Sequence, residues 1–285
     1  MLLKHKRIVK GIFKGVGVYL GFCSALAFMI VFPMPSSGHG PPNSKLISMP
    51  GRTYPVNAFV SQNLAAGKPI KRVVILVHGL GGSASEWNKV ATALNSKGIE
   101  TISLHTKGHG VSTSKGVAFG RQEKDEIIFA ARWARERTTS MTQVVVVGRG
   151  MGASSAWLCA AEHPEEIDGI VSESCFQYLK KTSNGWLDSK VPFGHLILSP
   201  AKWIGAGMAR SNPDTIRPIQ ASSEWSGRPC LIVQPENDSQ ASRIDANKFV
   251  SMTGGRLWIV PKAEPSQIAD KMPAEYAAKI ASLFR

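Results

Sequence analysis

The chain has 285 residues, enough for one α/β domain with a sizeable core and a short additional segment. Its 34 Lys and Arg against 20 Asp and Glu give a formal net charge of +14, and the first 50 residues contain six of the basic residues and no acidic one. The rest of the chain lacks Lys/Arg runs with interleaved aromatic residues, so the composition argues against a nucleic-acid partner and favours a basic surface near an anionic membrane.

The N-terminal segment has the pattern of a membrane anchor. The five basic residues of segment 1–14 precede an uncharged run from Gly15 to Phe32, which as a helix would rise about 27 Å, close to the hydrocarbon thickness of a bilayer. We predict an uncleaved transmembrane signal anchor at 15–32 that contacts membrane lipid, with a removed signal peptide as the alternative. By the positive-inside rule, the N-terminus is predicted to be cytoplasmic and the domain extracytoplasmic. Residues 33–50 are predicted to be a linker and 51–285 the domain.

Short apolar runs alternate with helical patterns through this domain. The first, at 73–77, is continuous, as expected of a parallel strand buried on both faces. Ser83 and Glu86 then have the spacing of a capping box at the start of a helix that Gly98 closes. The further predicted strands are Thr101–Leu104, Val144–Val147, Gly169–Val171, Leu231–Val233 and Leu257–Val260. The further predicted helices lie near Glu123–Thr138, Met151–Glu162, Arg243–Ser251 and Ala274–Phe284. This alternation predicts an α/β fold with a mostly parallel, doubly wound sheet.

One aromatic-rich segment interrupts the alternation. Residues 176–228 contain Trp186, Trp203 and Trp225 without an obvious strand. We predict a helical cap inserted over the carboxyl ends of the strands, where ligands bind in open sheets. Alternatively, these aromatic residues complete the hydrophobic core.

The segment from Gln143 to Glu162 reads as a four-valine strand, a glycine-rich turn and an Ala-rich helix. The turn is Gly148-Arg149-Gly150-Met151-Gly152. This is the pattern of a nucleophile elbow, G-x-S-x-G, in which a serine occupies a strained turn between strand and helix. Here Gly150 stands at the nucleophile position.

Three other motifs follow predicted strands in the same way. They are His78-Gly79 with its following glycines, Gly108-His109-Gly110-Val111-Ser112, and Pro235-Glu236-Asn237-Asp238. With the elbow, they resemble the α/β-hydrolase superfamily, most of all its serine aminopeptidase and monoacylglycerol lipase branch, from about Thr53 to the C-terminus. The resemblance implies an α/β-hydrolase fold with a cap insertion, here preceded by one transmembrane helix.

The resemblance also implies where a catalytic triad would lie, in the chain order Ser, acid, His. Gly150 is the degenerate nucleophile position and Asp238 matches the acid, although a structural role for Asp238 at the start of the next helix is the alternative. The histidine position falls near Pro265, and no His follows His195. Two triad members are therefore missing.

The resemblance further implies an oxyanion hole. Its donors would be the N–H of Met151, at a helix start, and the N–H of Leu80, with His78 and Gly79 as neighbouring ligand-binding residues. Glycine tolerates the positive φ of the elbow better than serine, so we expect the turn to persist.

Several serines and one cysteine are candidate substitutes for the missing nucleophile. Ser154 and Ser155 would face packing inside the fold, whereas Ser172, Ser174 and Cys175 reach the correct end of the sheet but need a base. The histidines that follow the predicted strands at 73–77 and Thr101–Leu104, which are His78, His105 and His109, have no carboxylate beside them in the sequence, so we predict no metal and no cofactor. The three cysteines of the domain are interpreted as buried apolar residues, with one disulfide possible.

Three functions remain open at this point. The first is a membrane-anchored, catalytically silent hydrolase fold that binds a small acyl or carboxylate ligand, or a protein partner. The second is an active esterase, lipase or peptidase that uses a non-standard nucleophile. The third is a structural membrane protein that packs on a partner by its basic face.

Overall fold

The computed structural model of the protein describes residues 2–34, 38–61, 70–139, 141–238 and 241–284. In this part of the chain, an eight-stranded sheet is flanked by helices. The strands are β1 (Ser44–Met49), β2 (Val56–Ser61), β3 (Arg72–Val77), β4 (Glu100–His105), β5 (Gln143–Arg149), β6 (Gly169–Glu173), β7 (Cys230–Pro235) and β8 (Arg256–Val260). The helices are α1 (Leu2–Val31), α2 (Asn88–Asn95), α3 (Glu123–Arg137), α4 (Met151–Glu162), α5 (Leu179–Lys190), α6 (Gly194–Ile197), α7 (Ser199–Met208), α8 (Pro218–Ser222), α9 (Arg243–Thr253), α10 (Gln267–Lys271) and α11 (Pro273–Ala281).

The sheet has the strand order β1-β2-β4-β3-β5-β6-β7-β8. The β1-β2 and β2-β4 pairs are antiparallel, and all other neighbouring pairs are parallel. Val77 at the end of β3 pairs with Gly148 near the end of β5, so the loops that follow these two strands meet at one edge of the sheet. The predicted mostly parallel, doubly wound sheet is confirmed.

Helices cover both faces of the sheet, which explains the continuous apolar strands. Val73, Ile75 and Val77 point to a core that contains residues of α3, α4 and α9, whereas Val74 and Leu76 point to a second core with α2 and α11. Every one of these five strand residues has no exposed surface. A strand buried on both faces cannot alternate polar and apolar residues.

Two predicted boundaries are corrected. Strand β1 lies inside the range 33–50 that was predicted to be a linker, because Ser44 to Met49 pair with β2 along their whole length. The cap is shorter than 176–228, because α8 packs against α4 and Trp225 is completely buried in the core beside the sheet. The helices of the cap are therefore α5, α6 and α7.

Helix α1 contains a stretch, His5–Val31, that is long and apolar enough to cross a membrane. Most of its large apolar side chains are exposed, including Phe13, Phe22 and Met29. All four cysteines are buried and free, so no disulfide forms among the described residues.

Candidate functional site

The elbow keeps its turn without a nucleophile. Gly150 joins β5 to α4 with φ 53° and ψ −110°, in the region that favours glycine. Its N–H donates to the carbonyl oxygen of Glu173 (2.9 Å), which ties the turn to the neighbouring strand. A Cβ added at Gly150 would meet no atom within 4 Å. The nucleophile position is thus open space at the top of the sheet.

A cavity of about 440 Å³ lies between this elbow and the cap. Its lining includes Gly150, Asp238 and Pro265, the three positions where the superfamily pattern places the nucleophile, the acid and the histidine. Leu80 and Met151, the two expected donors of the oxyanion hole, line the same cavity. The structure therefore brings these five positions together, and their catalytic or binding roles stay predictions.

The N–H groups of Leu80 and Met151 have no hydrogen-bond acceptor among the described residues. Met151 is the first residue of the twelve-residue helix α4, so its N–H points out of the helix start toward the cavity. Free N–H groups at a helix N-terminus attract an anion or a carbonyl oxygen. The site can therefore bind the polar end of an acyl or carboxylate compound.

His78 and Gly79 are not among the residues that line the cavity, and their predicted role as ligand-binding residues stays a prediction. His78 is completely buried, and its Nδ1 lies 2.8 Å from the Gly79 carbonyl oxygen. Burial, with the neighbouring His109, lowers the pKa of His78 to about 3, so its ring is neutral at physiological pH. His109 Nε2 accepts a hydrogen bond from Gly81 N–H (2.9 Å). Both histidines fix the glycine-rich loop that carries Leu80.

A buried ion-pair network beneath the elbow was not anticipated from the sequence. Arg149 Nε lies 2.8 Å from Glu173 Oε1, and its Nη1 lies 2.9 Å from Glu86 Oε2. Tyr276 donates to the other oxygen of Glu173 (2.8 Å), and the guanidinium lies over the ring of Trp87. Burial alone would lower the pKa of Arg149, but the two carboxylates raise it. No short motif marks this network, because its members come from four separate segments of the chain.

Asp238 also has a local structural role. Its Oδ1 accepts a hydrogen bond from Ala241 N–H (2.9 Å) just before α9. This bond is the structural alternative that the sequence left open for the acid position. Asp238 can therefore contribute both to this turn and to the cavity wall.

Most substitute nucleophiles have other roles. Ser155 donates to the Met151 carbonyl oxygen (2.8 Å) inside α4, and Ser172 accepts from the indole of Trp157 (2.9 Å). Burial raises the pKa of the Cys175 thiol far above its ordinary value, which disfavours the reactive thiolate. Ser174 differs, because it lines the cavity with a left-handed φ of 54° and its buried Oγ has no hydrogen-bond partner.

Within the described ranges, no histidine is hydrogen-bonded to a serine or cysteine side chain. The same residues contain no cluster of three or more His, Cys, Asp or Glu side chains that could bind a metal ion. His105 is buried with both ring nitrogens lacking a partner, and burial lowers its pKa to about 4. Among the described residues, no histidine is therefore placed to act as a base for a serine or cysteine nucleophile.

The cavity has one wall that the sequence did not predict. Ala27, Ile30 and Val31 of α1 line it together with residues of α5 and α7. The apolar run of α1 was attributed to contact with lipid, and nothing in its composition distinguishes lipid from an apolar protein surface. Part of the predicted anchor is therefore part of the site.

Comparisons with known proteins show which proteins the chain resembles. Residues 68–204 match the profile of the family described as serine aminopeptidase, S33. The protein ABHD8 of Bos taurus is 24% identical over 161 residues, which cover 52% of this chain and 36% of that protein. Human ABHD8 is 25% identical over 126 residues, which cover 43% of this chain and 27% of that protein. The chain thus spans about a third of the length of these relatives.

Solved structures match over most of the chain. The Pyrococcus furiosus esterase Pf2001 superposes with a TM-score of 0.71 at 18% identity and covers 89% of this chain and 97% of its own. Est1E from Butyrivibrio proteoclasticus, solved with ferulic acid bound, gives a TM-score of 0.64 at 17% identity and covers 83% of this chain and 99% of its own. With the sheet order, the elbow and the family match, these similarities establish that the chain is a member of the α/β-hydrolase superfamily.

Proposed function

We propose that this protein is a membrane-anchored α/β-hydrolase-fold protein that binds a small acyl or carboxylate ligand under its cap and forms no acyl-enzyme. The observation that carries the proposal is the cavity at Gly150, which combines unoccupied N–H donors with no attacking group at the elbow. Pro265, near which the resemblance implies the histidine position, lines the cavity and supplies no base. Without a nucleophile and a base at these positions, the geometry favours ligand binding over acyl transfer.

The cavity favours a small ligand over a protein partner. Its size falls within the roughly 300–1,000 Å³ of typical small-molecule sites, and it lies beneath the cap. Phe119, Phe176 and Leu179 supply apolar walls, and Lys202 adds a positive charge. An apolar chain that ends in a carboxylate or carbonyl group matches this lining.

Helix α1 supports retention at the membrane. Its apolar side chains are exposed over most of its length, and the basic residues Lys6, Arg7, Lys10 and Lys14 lie at its N-terminal end. This charge distribution favours a cytoplasmic N-terminus and an extracytoplasmic domain. Protease protection of the domain in sealed vesicles tests the orientation.

The test of the function combines acylation and binding in the full chain. A fluorophosphonate probe should leave the protein unlabelled, because labelling requires an activated nucleophile. Dodecanoate should bind, and Ala206→Phe, which fills the cavity, should weaken binding strongly. Ala278→Phe, at an exposed position of α11, is the matched control and should bind as the wild type. Stoichiometric labelling, or equal binding by both variants, would contradict the proposal.

A second candidate is a hydrolase that uses Ser174. The strained backbone and unpartnered Oγ of this residue favour it, because such strain often occurs at functional sites. It predicts fluorophosphonate labelling that Ser174→Ala abolishes. It also predicts ester turnover above the roughly 10³- to 10⁴-fold over water that binding and an oxyanion hole alone provide.

A further inference from the structure

Helix α1 packs tightly against the cap helix α7. Cys23, Ala27 and Val31 are buried and lie four residues apart on one side of α1. They meet Ala201 and Gly205, which are also four residues apart, on α7. A Cβ added at Gly205 would lie 3.6 Å from the Ala27 Cβ, so the two backbones approach closely. Small residues at this spacing are typical of helix pairs within membranes.

The contact with the folded domain extends beyond these residues at both ends. The Tyr19 hydroxyl donates to the carbonyl oxygen of Ile197 in α6. At the other end, Val117 N–H donates to the Val31 carbonyl oxygen (2.8 Å). The contact therefore runs from residue 19 to residue 31, about 18 Å along the helix axis.

This extent limits how the protein can meet a bilayer. The apolar run from Gly15 to Phe32 is about 27 Å long, so about two-thirds of its length lies against the domain. If that run lies in hydrocarbon, the surface packed against it must enter the hydrocarbon or the interface as well. Either the cap contacts lipid, or α1 leaves the cap when it enters the membrane.

The exposed surface of the cap beside α1 is apolar. Phe193 is 70% exposed, Leu196 64%, and Ile197 and Trp203 47% each. Leu196 and Ile197 belong to α6, the helix that Tyr19 contacts, so this surface continues the exposed face of α1. Soluble proteins rarely expose a contiguous apolar patch of this kind without a partner for it.

The charged groups beside this patch suit the interface between a membrane and water. Lys190 and Lys202 place their ammonium groups over the rings of Trp186 and Trp203. Lysine side chains of this kind can keep their aliphatic parts in an apolar layer while the charge reaches the headgroups. Asp188, at the same corner, is hydrogen-bonded to the His195 ring (2.7 Å).

We propose that the exposed face of α6 and α7, with Phe193, Leu196, Ile197 and Trp203, is embedded in the lipid bilayer beside α1. The inference rests on the proposed membrane retention of α1 but not on ligand binding. The cavity, walled in part by Ala27 and Val31, then opens next to lipid. An acyl ligand can enter it without crossing water.

Site-specific probes in the full chain test this arrangement. An environment-sensitive fluorophore is attached at Leu196→Cys, at Phe22→Cys within the apolar run of α1, and at Met141→Cys as the matched control. Met141 is 85% exposed and precedes β5, at the end of the sheet opposite the cap. Because the native cysteines are buried, the wild-type chain serves as the labelling blank. The protein is reconstituted into phosphatidylcholine vesicles with a minority of phosphatidylglycerol.

Nitroxide-labelled lipid should quench the probes at Leu196 and Phe22 severalfold more than the probe at Met141, and aqueous iodide should show the reverse order. If Phe22 is in lipid while Leu196 is as accessible to iodide as Met141, the cap stays in water and the inference is wrong, although the anchor remains. If Leu196 is shielded from both quenchers, a second copy covers the patch, which also overturns it. If Phe22 is in water, membrane retention itself fails.

Discussion

Gly150 provides a quantitative test of the elbow. Its φ of 53° and ψ of −110° lie where a residue with a Cβ is strained, at a cost of about 1–3 kcal/mol. No atom lies within 4 Å of an added Cβ, so no steric clash contributes to the cost. The substitutions Gly150→Ala and Gly150→Ser should therefore destabilise the protein by similar amounts that reflect the backbone alone.

For a domain of this size, about 1 kcal/mol corresponds to a shift in Tm of roughly 2–4 °C, so each variant should unfold about 2–12 °C below the wild type. Gly207→Ala is the matched control. A Cβ at Gly207 also meets no atom within 4 Å, but this residue lies in the helix α7 without positive φ. It should be neutral or stabilising, because alanine favours helix over glycine by about 1 kcal/mol. If Gly150→Ala unfolds with the wild type, the assigned strain is wrong.

Variants at Gly150 also test whether the predicted triad positions can support nucleophilic attack. Gly150→Ser places a hydroxyl in the cavity without a base, so the fluorophosphonate probe should react slowly. Adding Pro265→His supplies an imidazole beside Asp238, and general-base assistance should accelerate labelling by about 10²- to 10⁴-fold. Equal labelling rates of the single and double variants would show that Pro265 does not occupy the histidine position.

Three further outcomes are expected. Glu173→Gln leaves the buried Arg149 guanidinium with a weaker partner and should lower the free energy of unfolding, measured in urea, by about 3–5 kcal/mol. The control Glu165→Gln changes an exposed side chain and should leave the free energy of unfolding nearly unchanged. Burial lowers the pKa of His105 from 6.5 to about 4, so stability is present above pH 6.5 and is lost as the pH falls toward 4. Between pH 7 and pH 4, the free energy of unfolding of His105→Leu should therefore fall by about 3 kcal/mol less than that of the wild type. Unfolding curves of both proteins at the two pH values measure this difference. Gly205→Leu should separate α1 from α7, detected as faster alkylation of Cys23 than in Gly205→Ala.

The sheet was predictable because its strands are buried on both faces. The run at 73–77 and the valines of β5 are continuous apolar segments, and helix α4 begins and ends where the pattern predicted, at Met151 and Glu162. The turn between them follows from glycine spacing. These features depend on local sequence, so they could be predicted from it.

Other features depend on partners that are distant in the chain. Strand β1 was missed because Lys45, Leu46 and Ile47 show no alternation that identifies a buried face, and only pairing with β2 makes the segment a strand. The docking of α1 on the cap was missed because an apolar helix satisfies lipid and protein surfaces equally. The positive φ of Ser174 was also unpredictable, since no glycine marks it.

The glycines of the elbow do not by themselves argue for catalysis. A Cβ at Gly148 would lie 2.4 Å from the Gly152 carbonyl oxygen, and a Cβ at Gly152 would lie 2.5 Å from the Val77 carbonyl oxygen. Both residues are therefore required by the close packing of α4 on β5 and β3, whatever the cavity does. Only Gly150 lacks such a packing requirement. Because packing alone preserves the turn, the N–H donors of the site can remain in place after a nucleophile is lost, and a binding function needs nothing more from the elbow.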